Sequence, residues 1–324
     1  MNTQTRHNRL IRHATGTITY YRQRKKKMKN NIITCAVYAL TIIGLSACSQ
    51  EDKPEIPTDA KSTPMTFAVT HPAQRTRVTD TDFENGDKIG LFVAKTDAPL
   101  EIGGNLVNNE ALTCNNGNWT AGRTIYWDEG TYNAYAYYPY ISPVTSIDDM
   151  PFSVNTDQQS ASGIDGLDGY EASDFLYAKA DGLSASSTPV PLTFRHIMSK
   201  ITIRLIKGED FEGEMPTNAK VYIHSTVPTA TIDLEAGVAT RYSRGTRTTI
   251  EAKQDADYMF SAIVVPQRVE NRMPLIEVIM KGVSYMYEST FNFKPGTEHL
   301  VNFVISDNPD QVKIDIGGEI QDWQ

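Results

Sequence analysis

Residues 200–206 alternate strictly: Ile201, Ile203 and Leu205 fall on one side of an extended chain, and Lys200, Thr202 and Arg204 on the other. An extended backbone turns successive side chains to opposite faces, whereas a helix repeats every 3.6 residues, so this pattern specifies a half-buried strand. The same style recurs at 65–69, 88–93, 131–140, 220–224, 258–265, 275–281, 285–293 and 299–305, with Gly, Asn and Pro between the runs. No window sustains an amphipathic helix of several turns. The expectation is an all-β protein of antiparallel sheets with one wet face, its short strands spaced as in β-sandwiches.

The beginning of the chain obeys different rules. Arg22, Arg24, Lys25, Lys26, Lys27 and Lys29 form a basic head, and residues 32–45 are mostly apolar and uncharged. Basic head, short apolar core and small residues at a cut site make a secretory signal, and the apolar run is too short for a confident membrane span. The run ends in Leu45-Ser46-Ala47-Cys48, which resembles a bacterial lipobox. That resemblance implies cleavage before Cys48 and lipid attachment to it. Each buried acyl methylene contributes about 0.8 kcal/mol, so several chains hold a soluble body at a membrane. Met28-Lys29-Asn30-Asn31 alone would make an ordinary short head, so translation starts at Met1 or Met28. Residues 49–64 are polar, with Pro54, Pro57 and Pro64, and read as a flexible tether. Glu51 and Asp52, just after Cys48, resemble the export signal that sends Bacteroidetes lipoproteins to the outer face of the outer membrane.

Charge and cysteine content narrow the partners. The whole chain carries 31 Lys and Arg against 39 Asp and Glu, a net −8; nine of the bases and none of the acids precede Cys48, so the remainder stands at −17. A body that acidic argues against nucleic acid or anionic lipid as a partner. Of the three cysteines, Cys35 lies in the leader and Cys48 at the lipid site, leaving Cys114 and no disulfide framework. The loop-like stretch 157–169 and the small, polar stretch 181–191 punctuate the body, and the second is taken as the border. The expected division is leader 1–47, tether 48–64, an N-terminal sandwich 65–185 and a C-terminal sandwich 186–324.

Several stretches, in order, resemble the fimbrillin (Mfa-like) family of Bacteroidetes pilus subunits and accessory lipoproteins. They are Thr76-Arg77 with Phe83-Glu84-Asn85-Gly86-Asp87-Lys88-Ile89-Gly90-Leu91-Phe92; Tyr126-Trp127 with Tyr135-Ala136-Tyr137-Tyr138-Pro139; Ser173-Asp174-Phe175-Leu176-Tyr177-Ala178; Leu192-Thr193-Phe194-Arg195-His196 with Ser199-Lys200; Val264-Val265-Pro266-Gln267; and Ile320-Gln321-Asp322-Trp323. Each motif alone is weak, and the ordered set is specific. The resemblance implies two transthyretin-like β-sandwich domains and assembly by strand exchange. In that scheme a surface lipoprotein is cut after an arginine, its first strand leaves, and a neighbour's strand adds to the exposed groove. The candidate first strand carries Met65, Phe67 and Val69, and the candidate cut sites are Arg75 and Arg77. The alternation of Val312, Ile314 and Ile316 in the tail fits either a donor strand or the last strand of its own domain.

The residues make physical sense as punctuation. Gly86 suits a tight turn and Gly90 a close backbone approach. Trp127, Tyr135 and Tyr137 can fill a core while their polar ends find partners. His196 is expected to be a core or interface histidine, and His71, His224 and His299 are isolated in sequence. The stretch from Asp80 resembles a calcium loop, but its glycine falls one place late and Leu91 stands where a bidentate ligand is required. The chain holds no H-E-x-x-H, G-x-S-x-G, phosphate loop or C-x-x-C. No catalytic residue, metal or cofactor is therefore assigned. The expected role is a non-enzymatic fimbrial or accessory lipoprotein, lipid-anchored at the outer membrane, whose partners are other fimbrial subunits. The alternative is a non-polymerising surface lipoprotein that binds a glycan or a host protein.

Overall fold

The alternating stretches form strands because β-branched and aromatic residues bury well on one side of a pleated surface. The computed structural model describes residues 63–72, 83–310 and 312–321. Its first strands are β1 (Phe67–Thr70), β2 (Lys88–Lys95), β3 (Val107–Asn115), β4 (Asn118–Ala121), β5 (Tyr132–Tyr138), β6 (Met150–Ser153) and β7 (Leu176–Leu183). There follow β8 (Val190–Thr193), β9 (Arg195–His196), β10 (Ser199–Lys207), β11 (Lys220–Thr226), β12 (Thr229–Asp233), β13 (Val238–Arg241) and β14 (Thr248–Glu251). The last are β15 (Lys253–Ala256), β16 (Met259–Val264), β17 (Gln267–Met280), β18 (Val283–Phe293), β19 (Thr297–Ile305) and β20 (Lys313–Gln321). Helix among the described residues is confined to two short 3₁₀ turns, Ile164–Gly166 and Glu171–Ser173.

These strands form five sheets. Their orders are β4-β3-β2-β5-β7-β9, β15-β16-β10-β19-β20, β14-β11-β17-β18, β13-β12-β6 and the pair β1-β8. Most ladders are antiparallel, as expected. Two are not: β1 runs parallel to β8, and β10 runs parallel to β19. Parallel neighbours need a long crossover, and both pairs are far apart in the chain. A reading by local alternation cannot see such pairs.

Two apolar clusters organise the body. The smaller gathers Ile89, Leu91 and Val93 of β2, Ala134, Ala136 and Tyr138 of β5, and Leu176 and Ala178 of β7. The larger takes the opposite faces of the same strands, through Phe92, Tyr135, Tyr137 and Tyr177, and packs them with Ile201, Ile203 and Leu205 of β10. The expectation of one wet face therefore fails for the centre of the six-stranded sheet. In β2 every residue from Ile89 to Ala94 is buried, and in β5 every residue from Ala134 to Tyr138. Val190, Leu192 and Phe194 lie beyond residue 185, where the sequence reading put its border, and all three are buried in the smaller cluster.

Candidate assembly site at the first strand

β1 sits in a seat made by two distant parts of the chain. Met65 N–H donates to the Ile125 carbonyl at 2.8 Å, and Trp127 N–H donates to the Thr63 carbonyl at 3.0 Å. On the other side Val190 N–H donates to the Thr66 carbonyl at 2.8 Å and Phe194 N–H to the Thr70 carbonyl at 3.0 Å. The register Phe67↔Val190, Ala68↔Pro191, Val69↔Leu192 turns alternate residues inward. Met65 is buried, and Phe67 and Val69 are half-buried against the smaller cluster; Thr66, Ala68 and Thr70 are exposed. The three residues singled out as the inward row of a first strand thus share one face of the seat. Pro191 is tolerated in β8 because alternate residues of a strand donate to opposite sides. Val190 donates toward β1, so the missing N–H of Pro191 falls on the other side.

The seat is closed by aromatic side chains. Phe83 packs edge-on against His71, Trp119, Tyr138 and Phe194, with ring centroids 4.8, 5.0, 5.4 and 5.4 Å away. His71 Nδ1–H donates to the Pro72 carbonyl at 2.9 Å, and its ring meets that of His196 at 6.3 Å. The buried His196 places Nδ1 2.7 Å from Asp174 Oδ2. Trp127 donates from Nε1 to the Ser186 carbonyl at 3.2 Å. Arg75 and Arg77, between Pro72 and Phe83, and Cys48, before residue 63, lie outside the described residues.

The punctuating residues behave as local chemistry requires. Gly86 has φ +102° in the turn before β2. At Gly90 a Cβ would lie 2.3 Å from Tyr137 Cε1, a distance no side chain tolerates. Tyr137 is buried, its hydroxyl lying 2.7 Å from Asn109 Oδ1 and 2.9 Å from the Ile141 carbonyl, so that its one proton is given to either of the two. Burial raises its hydroxyl well above the ordinary tyrosine range. Tyr138 is raised likewise, by burial first and then by the Asp87 charge, 3.4 Å from its hydroxyl. Cys114 is buried in β3, opposite Trp119 of β4.

Two polar arrangements escaped sequence reading, because their members come from different strands. His224 of β11 places Nδ1 2.8 Å from the Thr249 hydroxyl and donates from Nε2 to Glu277 Oε2 at 2.9 Å; Ser284 donates to the other Glu277 oxygen at 2.6 Å. This row crosses all four strands β14-β11-β17-β18 and ties them side by side. His299 of β19 accepts the Lys294 N–H on Nε2 at 3.2 Å, with Nδ1 3.6 Å from Glu319 of β20. Burial holds His299 below its ordinary value, with Lys294 adding to the effect and Glu319 opposing it. Among the described residues no three His, Cys, Asp or Glu side chains gather as a metal site, and no helix is long and apolar enough to cross a membrane.

Comparison with known proteins places these features in context. The family model described as fimbrillin-like matches residues 76–323. A Bacteroides uniformis protein named "Putative fimbrium subunit Fim1C" is 26% identical over 310 residues, covering 91% of this chain and 96% of that protein. A Bacteroides ovatus protein named "Putative fimbrium tip subunit Fim1C" is 27% identical over 197 residues; the match covers 54% of this chain and only 35% of that longer relative. Among solved structures, a "putative cell adhesion protein" from Bacteroides ovatus superposes with a TM-score of 0.62 at 22% identity, over 82% of this chain and 98% of that one, and shares the fold.

Proposed function

Since this chain belongs to the fimbrillin-like family, we propose that it is a structural or adhesive fimbrial subunit, or an accessory lipoprotein, assembled at the cell surface by strand exchange. The observation that carries the reading is the seating of β1. This four-residue strand contributes two inward side chains, Phe67 and Val69, joined by Met65 just before it, and a few backbone hydrogen bonds to a seat built from residues 125–127 and β8. Its departure would uncover one edge of β8 and an apolar trough over Leu192 and Phe194, which a neighbour's strand of the same alternation would refill. Arg75 and Arg77 follow the strand at once, so a cut after either separates β1 from the body. In this reading two transthyretin-like sandwiches make up the body. Cys48 carries the lipid at the outer membrane until the cut releases the subunit, and other fimbrial subunits are the partners.

The test is the N-terminal residue of the protein in fibres sheared from cells, read by mass spectrometry. A start at Thr76 or Val78 is expected of a polymerising subunit. An acylated Cys48 within fibres would instead make the protein an uncut anchor or terminal subunit. If the lipidated chain stays on cells and never enters fibres, the assembly reading fails and a glycan- or protein-binding surface lipoprotein takes its place.

A further inference from the structure

Among the described residues of this acidic chain, the corner after β12 is conspicuously basic. From Ala236 to Ile250 it holds Arg241, Arg244 and Arg247 and no acidic residue, although acids outnumber bases 39 to 31 overall. The loop links β13 to β14, and all three arginines are exposed. Tyr242, between the first two, is 42% exposed. The loop backbone is held in one shape: Tyr242 N–H donates to the Thr229 carbonyl at 2.9 Å, and Gly245 N–H to the Tyr242 carbonyl at 3.0 Å. Arg247 reaches across to Met273 Sδ at 3.6 Å, beside exposed Arg272 of β17. Arg272 is partly neutralised by Glu288 at 3.5 Å, and Glu270 is the other acid on that stretch. Among the described residues neither Arg241 nor Arg244 is in an ion pair.

We propose that the loop 241–247 is a binding site for an acidic polysaccharide. Guanidinium groups present planar forks that match carboxylates two bonds at a time, and arginine outperforms lysine in that role. The exposed Tyr242, between Arg241 and Arg244 in the sequence, offers a flat apolar face on which a pyranose can lie. The Tyr242 and Gly245 amides are already engaged, so recognition falls to side chains; this favours a chain of charged sugars over a peptide read by strand pairing. The net negative charge of the molecule confines the attraction to this corner and excludes polyanions that need a broad basic face. The site does not depend on strand exchange, and a copy that never joined a fibre would carry it unchanged.

Binding of the purified full chain to polygalacturonate tests this, with neutral dextran and poly-glutamate as contrasts. Wild type is expected to bind polygalacturonate at low salt, more weakly as salt rises, and to ignore dextran. The variant Arg241→Ser/Arg244→Ser/Arg247→Ser should lose at least tenfold in affinity, and the corresponding triple lysine variant should lose severalfold with its charge retained. Tyr242→Ala should weaken polygalacturonate severalfold while leaving the unfolding midpoint unchanged. Absence of wild-type binding, a triple serine variant that binds as wild type, or poly-glutamate binding as tightly as polygalacturonate would each overturn the proposal.

Discussion

At Gly90 and Tyr137 the fit of a single pair of residues decides how close β2 and β5 approach. The residues are Cα partners across the ladder, and the tyrosine ring occupies the space that a Cβ would need. Gly90→Ala should therefore destabilise the body by about 1–3 kcal/mol, the usual cost of overpacking a filled core. Urea unfolding measures it, and an unchanged midpoint would mean that the ring can swing aside. Tyr137→Phe acts from the other end, since it removes the hydroxyl bonded to Asn109 and to the Ile141 carbonyl. Asn109 Oδ1 would lose its donor while the Ile141 carbonyl keeps the Asn109 Nδ2–H at 2.9 Å, so the change should cost about 1 kcal/mol by the same measurement. A neutral result there would show that water replaces the lost hydroxyl. Both residues were legible in the sequence as a close approach and a core tyrosine with a bonded tip. The pairing of His196 with Asp174 was not, because it depends on β9 lying beside β7 in the register Leu176↔His196.

At the scale of elements, long strands with clean alternation were legible and interrupted ones were not. The run read at 200–206 is β10, and those at 88–93, 131–140 and 299–305 are β2, β5 and β19, each displaced by only a few residues. By contrast β3, with its Asn108-Asn109-Glu110, and β8, with Pro191, carry residues that local propensity assigns to loops. Their strand character comes from partners far away, which local pattern cannot report. The final pair, β19 and β20, carries a prediction of its own. His299 is buried in β19, while Lys294, in the turn before that strand, pairs with Glu319 of β20. Burial depresses the folded pKa of His299 below its ordinary 6.5. Its neutral form is then the one the fold favours, so its contribution is complete above pH 6.5 and is lost as pH falls through the folded value. Glu319 is depressed chiefly by its hydrogen bond to Lys294, and its contribution is lost only below about its ordinary 4.5. Stability should therefore decline in two stages on acidification. His299→Gln should remove the first stage, between pH 6.5 and the carboxylate range, and leave the second. An unchanged acid limb in that variant would assign the first stage to another histidine.

Over the whole body, the six-stranded sheet lies between two clusters, and each draws residues from both sides of residue 185, where the sequence reading placed its border. Phe92, Tyr135, Tyr137 and Tyr177 come from the first half of the body, yet they pack in the same cluster as Ile201, Ile203, Phe260 and Phe303 from the second. The reverse faces of β2, β5 and β7 line the smaller cluster beneath β1. A layer buried on both sides cannot lose one cluster without exposing apolar surface of the other, and exposed apolar surface costs about 25 cal/mol per Å². Unfolding in urea should accordingly be one cooperative transition. Trp119 and Trp127 both report the smaller cluster, so their fluorescence, in a Trp323→Phe background, should change at the same urea concentration as the far-ultraviolet circular dichroism of the whole body. Two separated midpoints would show instead that the shared layer is a weak boundary between independent units. A fragment beginning at residue 186 sharpens the same point. It lacks Phe152, Phe175 and Tyr177, which cover the larger cluster, and it should bind apolar dye and lack a sharp transition. Coupling of this kind has a consequence for the proposed exchange at β1. The loss of one short strand would be felt first in the smaller cluster, which it touches, while the larger one holds the layer in place until the seat is refilled.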